Sequence, residues 1–253
     1  MRKQERHELI YSMVQAAGRV RVSDLSTEMA VSEMTVRRDL EELEEQGRLL
    51  RVHGGAASAT SRSFEPGFAA RSQLNVEAKR QIGVATAALI RDGEALIIDA
   101  GTTTLHVAAA LRPDLHVRAM ALSLRVADVL ADMANVTLMI PGGVVRPKER
   151  SFVGGMTVST FDDLTFDTVI LTTGGVDVDA GVTEYEFDDA QTKRAALNSA
   201  RRKIIVADSS KLGAVAFVRL CPIDQIDILV TDSGAPAAQV AALQSAGVDV
   251  ILA

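Results

Sequence analysis

The chain has 253 residues, a length that suggests one large domain or two unequal ones. Because 47% of the residues are hydrophobic and 24% are charged, we expect a sizeable core and exclude global disorder. The formal net charge of −6 excludes a nucleic-acid binder that is basic throughout, although it permits a locally basic face. A single cysteine, Cys221, excludes an intramolecular disulfide and a cysteine-based zinc site.

The first residues and the hydropathy pattern predict a cytoplasmic protein. Residues 1–8 are mostly charged and contain no apolar signal-peptide core. No apolar run approaches the roughly 18 residues that a membrane helix needs. We therefore expect no membrane segment. Cys221 lies in an apolar stretch next to Pro222 and is expected to be buried and inert.

The pattern of residues 1–57 predicts a small helical domain that binds DNA. Apolar residues at helical spacing indicate a helix over 2–17, which Gly18 terminates. Ser23 is expected to cap a short second helix, and Ser32 is expected to cap a third helix that stops at Gly47. Two helices joined so tightly form a helix-turn-helix. The alternating residues 48–53, followed by two glycines, then predict a strand and a wing.

The beginning of the third helix is a candidate DNA-binding surface. If Val36, Leu40 and Leu43 are buried, the residues between them project outward, and recognition helices read base edges with their N-terminal residues. The candidate DNA-contacting residues are Ser32, Met34, Thr35, Arg37, Arg38, Arg51, His53, Gly54 and Gly55. The alternative is a solvated surface on which Arg37 pairs with Glu41 and Arg38 pairs with Glu42 at i, i+4 spacing.

Residues 58–75, rich in Ala, Ser and turn formers, are interpreted as a linker, and residues 76–253 alternate between helical and strand patterns. Buried strands that alternate with helices predict a mostly parallel sheet covered on both faces. The predicted strands are 95–98, 117–122, 136–140, 168–171, 204–207, 228–230 and 248–252. The predicted helices include 105–111, 189–201 and 236–246.

Small polar residues follow four of these strands, at the sheet edge where α/β proteins bind ligands. Gly101-Thr102-Thr103-Thr104 is the strongest element, since glycine permits close backbone approach and a helix start favours an anion. Taken singly, each loop has a structural explanation, and Asp99 or Asp208 could simply cap the next helix. The candidate effector-binding residues are Lys79, Asp99, Gly101, Thr102, Thr103, Thr104, Gly142, Gly143, Gly174, Asp177, Glu184, Asp208 and Lys211. Neither a P-loop nor a dinucleotide fingerprint is present, so a small phosphorylated polyol fits better than a nucleotide.

The residues 31–56, VSEMTVRRDLEELEEQGRLLRVHGGA, closely resemble the signature of DeoR-family transcriptional regulators. The body resembles the sensor domain of the same family at Asp99–Thr104, Pro141–Gly143, Lys193-Arg194 and Asp208–Lys211. The resemblance implies a winged helix-turn-helix followed by an α/β sensor domain similar to ribose-5-phosphate isomerase and CoA-transferase folds. It also implies a sensor of phosphorylated sugars that acts without a metal or other cofactor.

The expected function is therefore repression of a carbohydrate-catabolism operon by a homodimer or homotetramer that binds double-stranded operator DNA. One alternative is a sugar-phosphate isomerase or deaminase, with Asp99 or Glu184 as the base and Lys211 as an electrostatic stabiliser. A further alternative is an interaction module whose winged helix binds protein.

Overall fold

A computed structural model describes residues 1–52, 54–58, 62 and 64–253. The chain divides into two compact units, Met1–Leu74 and Asn75–Ala253. Within the described residues, no helix is both long and apolar enough to cross a membrane.

The first unit is a three-helix bundle with a small antiparallel sheet. Its elements are α1 (Lys3–Ala17), β1 (Arg19–Arg21), α2 (Val22–Met29), α3 (Glu33–Glu45), β2 (Leu49–Val52), β3 (Gly55–Ser58) and α4 (Phe68–Gln73). The sheet has the order β1-β3-β2, and β2 and β3 form the wing. The core joins all three helices to the sheet through Ile10, Leu25, Leu40 and Leu49. The fold is a winged helix-turn-helix.

The ends of these helices agree with the sequence analysis in two cases and differ in one. Ser32 caps α3, where its hydroxyl accepts a hydrogen bond from the Thr35 amide, and Gly47 follows the helix with a φ of +69°. Ser23, however, lies inside α2, which begins at Val22 after an N-cap residue without a side-chain cap. The prediction of a Ser23 cap was wrong because the short strand β1 runs directly into the helix.

The second unit is built on seven parallel strands. Its helices are α5 (Val76–Ala87), α6 (Thr102–Ala109), α7 (Leu124–Ala131), α8 (Gly155–Ser159), α9 (Phe187–Ser199) and α10 (Ala237–Ser245). Its first strands are β4 (Ala95–Ile98), β5 (Val117–Ala121), β6 (Val136–Met139), β7 (Val144–Val145), β8 (Phe152–Val153) and β9 (Phe166–Leu171). They are followed by β10 (Gly175–Asp177), β11 (Gly181–Glu184), β12 (Ala200–Val206), β13 (Val218–Cys221), β14 (Ile228–Thr231) and β15 (Asp249–Leu252).

The main sheet has the order β15-β14-β12-β9-β4-β5-β6, with every pair parallel. From β4 the chain proceeds outward to β5 and β6, and then returns to the other side of β4 to form β9, β12, β14 and β15. The winding direction therefore reverses between β4 and β9. Ligands of open α/β sheets bind outside the carboxyl ends of the strands at such a topological switch point.

Residues alternate between two apolar layers along these strands. Leu96 and Ile98 of β4 belong to one layer, and Ile97 belongs to the other, as expected for a sheet that is buried on both faces. All seven strands predicted from the sequence are found in this sheet, with shifted ends. The antiparallel strands β7-β8 and β10-β11-β13 were missed, because two- to four-residue strands give too short a periodic signal.

Candidate functional site

The first turn of α3 offers several polar groups to solvent. The Ser32 and Thr35 hydroxyls lie 2.9 Å apart and cap the helix start. Met34, two positions into the helix, is 62% exposed. Arg37 and Arg38 are also exposed. The structure thus brings these five predicted DNA-contacting residues together on one short surface.

The arginines of α3 do not form the ion pairs of the alternative interpretation. Arg37 contacts Glu33 at 3.2 Å rather than Glu41. Glu42 is instead paired with Lys3 of α1, at 2.6 Å. Among the described side chains, Arg38 makes no ion pair. Its guanidinium is therefore available to a phosphate or a base.

The wing residues predicted to contact DNA have different surroundings in the structure. Arg51 pairs with Glu41 of α3 at 2.7 Å, which directs it toward the recognition helix. Gly54 occupies the exposed turn between β2 and β3 with a φ of +76°. Gly55 is buried, and a Cβ there would lie 2.0 Å from the Val20 carbonyl oxygen, so strand packing requires this glycine. His53 lies outside the described residues.

A buried ionic cluster joins α1 to α3. The Arg6 guanidinium donates to both carboxylate oxygens of Asp39, through Nε to Oδ2 and, at 2.9 Å, through Nη2 to Oδ1. His7 Nε2 lies 3.1 Å from Asp39 Oδ1. Burial raises the pKa of Asp39, but the hydrogen bonds from Arg6 and His7 outweigh burial and hold that pKa below its ordinary value. The Asp39 carboxylate therefore remains ionised inside the unit.

A second buried cluster lies at the switch point of the main sheet. The Lys193 ammonium of α9 lies 2.9 Å from Asp99 Oδ2 and 2.5 Å from Glu184 Oε2. It also donates to the Thr172 carbonyl oxygen at 3.0 Å. Burial lowers the pKa of Lys193, but the two carboxylates outweigh burial and raise the pKa above its ordinary value. The cation therefore holds together the ends of β4, β9 and β11.

Direct hydrogen bonds cross the switch point as well. The Thr172 amide and hydroxyl both donate to Asp99 Oδ2, at 2.9 and 2.8 Å. A Cβ at Gly101 would lie 2.5 Å from the Thr172 hydroxyl oxygen, so the close approach of the two loops requires glycine. The loops after β4 and β9 thus form one tightly bonded unit.

The first turn of α6 has free donors. Gly101 is its N-cap residue and offers no capping side chain, so the amides of Thr102, Thr103 and Thr104 have no partner within the helix. Among the described residues, the hydroxyls of Thr102 and Thr103 make no hydrogen bond either. Thr104 differs, since its hydroxyl donates to the Asp99 carbonyl oxygen at 2.7 Å and holds the loop. Unpaired amides at a helix N-terminus form a site for an anion.

Gly174 and Lys211 both lie next to the aromatic ring of Tyr185. A Cβ at Gly174 would lie 3.0 Å from Cε2 of Tyr185. The Lys211 ammonium lies 5.5 Å from the centroid of the same ring, within the range of a cation–π contact. Tyr185 follows Glu184 directly, and its backbone amide donates to Glu184 Oε1 at 2.8 Å.

Two predicted carboxylates have local structural partners. Asp208 accepts from the Ser210 amide at 3.1 Å and from the Asn75 side-chain amide at 3.0 Å, so it caps the short turn that follows β12. Asp177 lies at the tip of the β10-β11 hairpin and accepts from the amides of Asp179 and Ala180. The hairpin places Asp177 at the opposite end from Glu184.

The remaining candidates are two glycines that contact α8 and a lysine of α5. Gly142 accepts a hydrogen bond from the Thr157 hydroxyl of α8 at 2.7 Å. A Cβ at Gly143 would lie 2.1 Å from that hydroxyl oxygen, so both glycines serve the packing of α8. Lys79 is buried on α5, and its charge adds to the effect of burial in lowering the pKa of His106 on α6.

A third ionic contact lies one turn from Lys193 on α9. Asp189 Oδ2 lies 2.9 Å from Arg146 Nε, and Oδ1 accepts from the Ser151 hydroxyl at 2.8 Å. Burial raises the pKa of Asp189 to about 6, against the opposing effects of Arg146 and Lys193. Cys221 is buried as predicted, and burial raises the pKa of its thiol to about 11.

The sequence analysis did not assign Lys193, Thr172 or Tyr185 to a site. Thr172 directly follows a predicted strand, at the sheet edge where ligands bind, and this position could have marked it. The position of Lys193 gives no such signal, because a single lysine within a polar helix is normally predicted to be exposed to solvent. Within the described residues, no group of three or more His, Cys, Asp or Glu could hold a metal ion.

Comparison with known proteins gives the family. The profile of the DeoR-like helix-turn-helix domain matches residues 6–62, and that of the DeoR C-terminal sensor domain matches residues 74–233. The chain belongs to the DeoR family. It is 36% identical over 250 residues to the putative aga operon transcriptional repressor of Escherichia coli O157:H7, covering 98% of this chain and 93% of that protein. The predicted family membership and winged helix-turn-helix are confirmed.

Two further similarities are less extensive. The glycerol-3-phosphate regulon repressor of Escherichia coli K12 is 34% identical over 236 residues, which are 93% of each chain. The structure of ribose 5-phosphate isomerase from Methanocaldococcus jannaschii is similar over 54% of each chain, at 14% identity and a TM-score of 0.41. That structural similarity is too weak to add to the assignment.

This DeoR-family chain is a DNA-binding transcriptional regulator rather than an enzyme. The geometry gives a physical reason against the isomerase alternative. Asp99 and Glu184, the carboxylates that would have to act as the base, are almost fully buried and bonded to Lys193.

Removal of the Lys193 charge tests the importance of the switch-point cluster for stability. In Lys193→Met, two buried carboxylates lose their cation, so the free energy of unfolding should fall by about 3–5 kcal/mol. Urea unfolding of the full-length protein, followed by circular dichroism, measures this change. Arg201→Met removes an exposed cation from neighbouring β12 and should cost less than about 0.5 kcal/mol. Equal losses in the two variants would contradict the proposed importance of the buried cluster.

Asp189 predicts a specific pH dependence of stability. Because its pKa is raised to about 6 when folded, the folded state binds the proton more tightly than the unfolded chain. The stabilisation that comes from this tighter proton binding is present in acid. It is lost as pH rises through about 6, where folded Asp189 ionises. Between pH 5 and 7.5 the wild type should therefore lose about 1–2 kcal/mol of unfolding free energy relative to Asp189→Asn. Parallel pH profiles for the two proteins would contradict this assignment.

Proposed function

We propose that this DeoR-family protein represses a carbohydrate-catabolism operon and that a small phosphorylated sugar modulates its affinity for operator DNA. In this proposal the first turn of α3 enters the major groove, and the carboxyl edge of the main sheet binds the sugar phosphate. The effector acts without any further cofactor.

The free cation on α3 supports the DNA-binding part of the proposal. Arg38 has no ion pair among the described residues, and Arg37 has only the exposed Glu33 as a competitor. Guanidinium groups bind guanine O6 and N7 or phosphate oxygens. Ser32 and Thr35 add hydroxyls at the helix start, where phosphate contacts are common.

The first turn of α6 is the observation that carries the effector part. Its three unpaired amides and the Thr102 and Thr103 hydroxyls form a donor set suited to a phosphate group. This turn adjoins the switch point, where ligands of this fold class bind. Lys211 supplies positive charge next to the Tyr185 ring.

The relatives favour the same ligand class. One of them is named for the glycerol-3-phosphate regulon, and glycerol 3-phosphate is a small phosphorylated polyol. Screening by thermal shift should therefore include glycerol 3-phosphate, ribose 5-phosphate and glucosamine 6-phosphate. A ligand at about 100 times its dissociation constant adds roughly 2.7 kcal/mol of stability. Failure of every phosphorylated sugar to raise the melting temperature would overturn the effector assignment.

Regulation requires two conformations with different affinities for DNA. Effector binding can shift their balance only by its own differential affinity, commonly about 1–3 kcal/mol. A single helix-turn-helix unit buries little DNA surface, so a homodimer or homotetramer would place two recognition helices on two half-sites. Analytical ultracentrifugation of the free protein and of the DNA complex measures this assembly state.

Arg38→Ala tests the reading face. We expect the affinity for a duplex selected by the wild type from a random-sequence library to fall by about 5- to 150-fold, since one base contact contributes roughly 1–3 kcal/mol. If Arg38 contacts phosphate instead, the salt dependence of log K should decrease by about one unit. Arg118→Ala removes an exposed charge from β5 and should leave binding unchanged. Undiminished binding by Arg38→Ala would contradict the proposed reading face.

Thr103→Val tests the anion site without a change in side-chain shape. The affinity for the sugar phosphate found by screening should fall about tenfold or more, since a hydrogen bond to a charged group contributes roughly 1.5–3 kcal/mol. DNA affinity without ligand should not change. Thr137→Val makes the same chemical change on the exposed face of β6 and should affect neither. Normal ligand affinity in Thr103→Val would show that the phosphate does not bind at the first turn of α6.

A further inference from the structure

The recognition helix carries more negative than positive charge. Residues 33–45 include six acidic residues, Glu33, Asp39, Glu41, Glu42, Glu44 and Glu45, but only two cations, Arg37 and Arg38. DNA phosphates repel such a helix unless its acids are neutralised or held away from the DNA. The structure supplies counter-charges from other elements: Lys3 and Arg6 from α1, and Arg51 from β2.

Asp39 differs from the other acids of α3. It is only 2% exposed and directly follows Arg38 in the chain. Arg6 binds it through two nitrogens, while His7 reaches Oδ1 at 3.1 Å and lies 3.8 Å from Glu42 Oε2. A two-point contact fixes direction as well as distance, since both bonds must be kept at once. The contact therefore fixes the rotation of α3 about its own axis relative to α1.

We infer that Arg6 and His7 of α1 are positioning residues for DNA binding, which hold Asp39 so that Arg37 and Arg38 face the duplex. This inference rests on the proposed role of α3 as the recognition helix. Arg6 and His7 act through Asp39 rather than by contact with DNA, because each is turned toward the interior of the unit.

For Asp39→Asn, the positioning role and simple electrostatics predict opposite changes in DNA affinity. Asp39→Asn removes a negative charge from the helix that faces the phosphates, so charge alone predicts tighter binding. Loss of the two-point ionic contact instead frees α3 to rotate. Displacement of a binding group by about 1 Å then lowers the affinity for DNA. We expect Asp39→Asn to bind the selected duplex about tenfold or more weakly than wild type.

Glu33→Gln is the matched control. It removes one negative charge from the same helix, but from an exposed residue that pairs only with Arg37 within the described residues. Its removal frees Arg37, so DNA affinity should be unchanged or higher. The experiment measures binding of full-length wild type, Asp39→Asn and Glu33→Gln by fluorescence anisotropy across a salt series. The salt slope of Asp39→Asn should not exceed that of wild type, because the substitution adds no phosphate contact.

A second substitution keeps the test decisive if Asp39→Asn does not fold, which circular dichroism and a thermal melt reveal. Arg6→Lys keeps the charge beside Asp39 but cannot form two parallel bonds. It should retain the wild-type melting temperature within a few degrees and still bind DNA more weakly. Arg2→Lys, at the exposed start of the same helix, should bind normally.

The outcomes separate this inference from the proposed function. If wild type selects no duplex, the role of α3 itself is wrong. If wild type binds, but Asp39→Asn or Arg6→Lys binds as well as wild type or more tightly, the positioning role is overturned.

Discussion

The switch point of the main sheet depends on one buried cation. Lys193 replaces the water that Asp99 and Glu184 would otherwise need, and it also bonds the Thr172 carbonyl oxygen. Each partner ends a different strand, so a single ammonium fixes the relative positions of three loops. Without it, two adjacent buried carboxylates would repel each other at the point where the loops approach most closely.

Fixed loops matter for the proposed anion site, because its donors are mainly backbone amides. The α6 amides can act together only if the turn that begins at Gly101 is held in place. Thr172 closes that turn from the neighbouring strand, and Gly101 allows its side chain to approach. Asp99, Thr104 and Glu184, which the sequence predicts to touch the effector, instead bond the loops to one another.

The DNA-binding unit also contains a buried ionic contact that joins separate elements. Arg6 and Asp39 form a buried ion pair that joins two helices, while the solvent-facing arginines remain available. In both units, buried charges fix the geometry and nearby exposed or unpaired donors are left for the ligand. Such contacts are directional, and the apolar contacts around them are not, so the ion pairs select one packing from several of similar hydrophobic energy.

The order and type of the main elements follow from local patterns in the chain. Helical and strand periodicity, the Ser32 cap and the glycine at 47 are local signals, and they predicted the winged helix-turn-helix and all seven parallel strands. Which charges pair was evident from the folded chain alone. Arg51 pairs with Glu41, Lys3 pairs with Glu42, and Lys193 pairs with Glu184 and with Asp99, which is distant in sequence. Periodicity reports which face of an element is buried, but an ion pair depends on the distance between elements, which no local pattern contains.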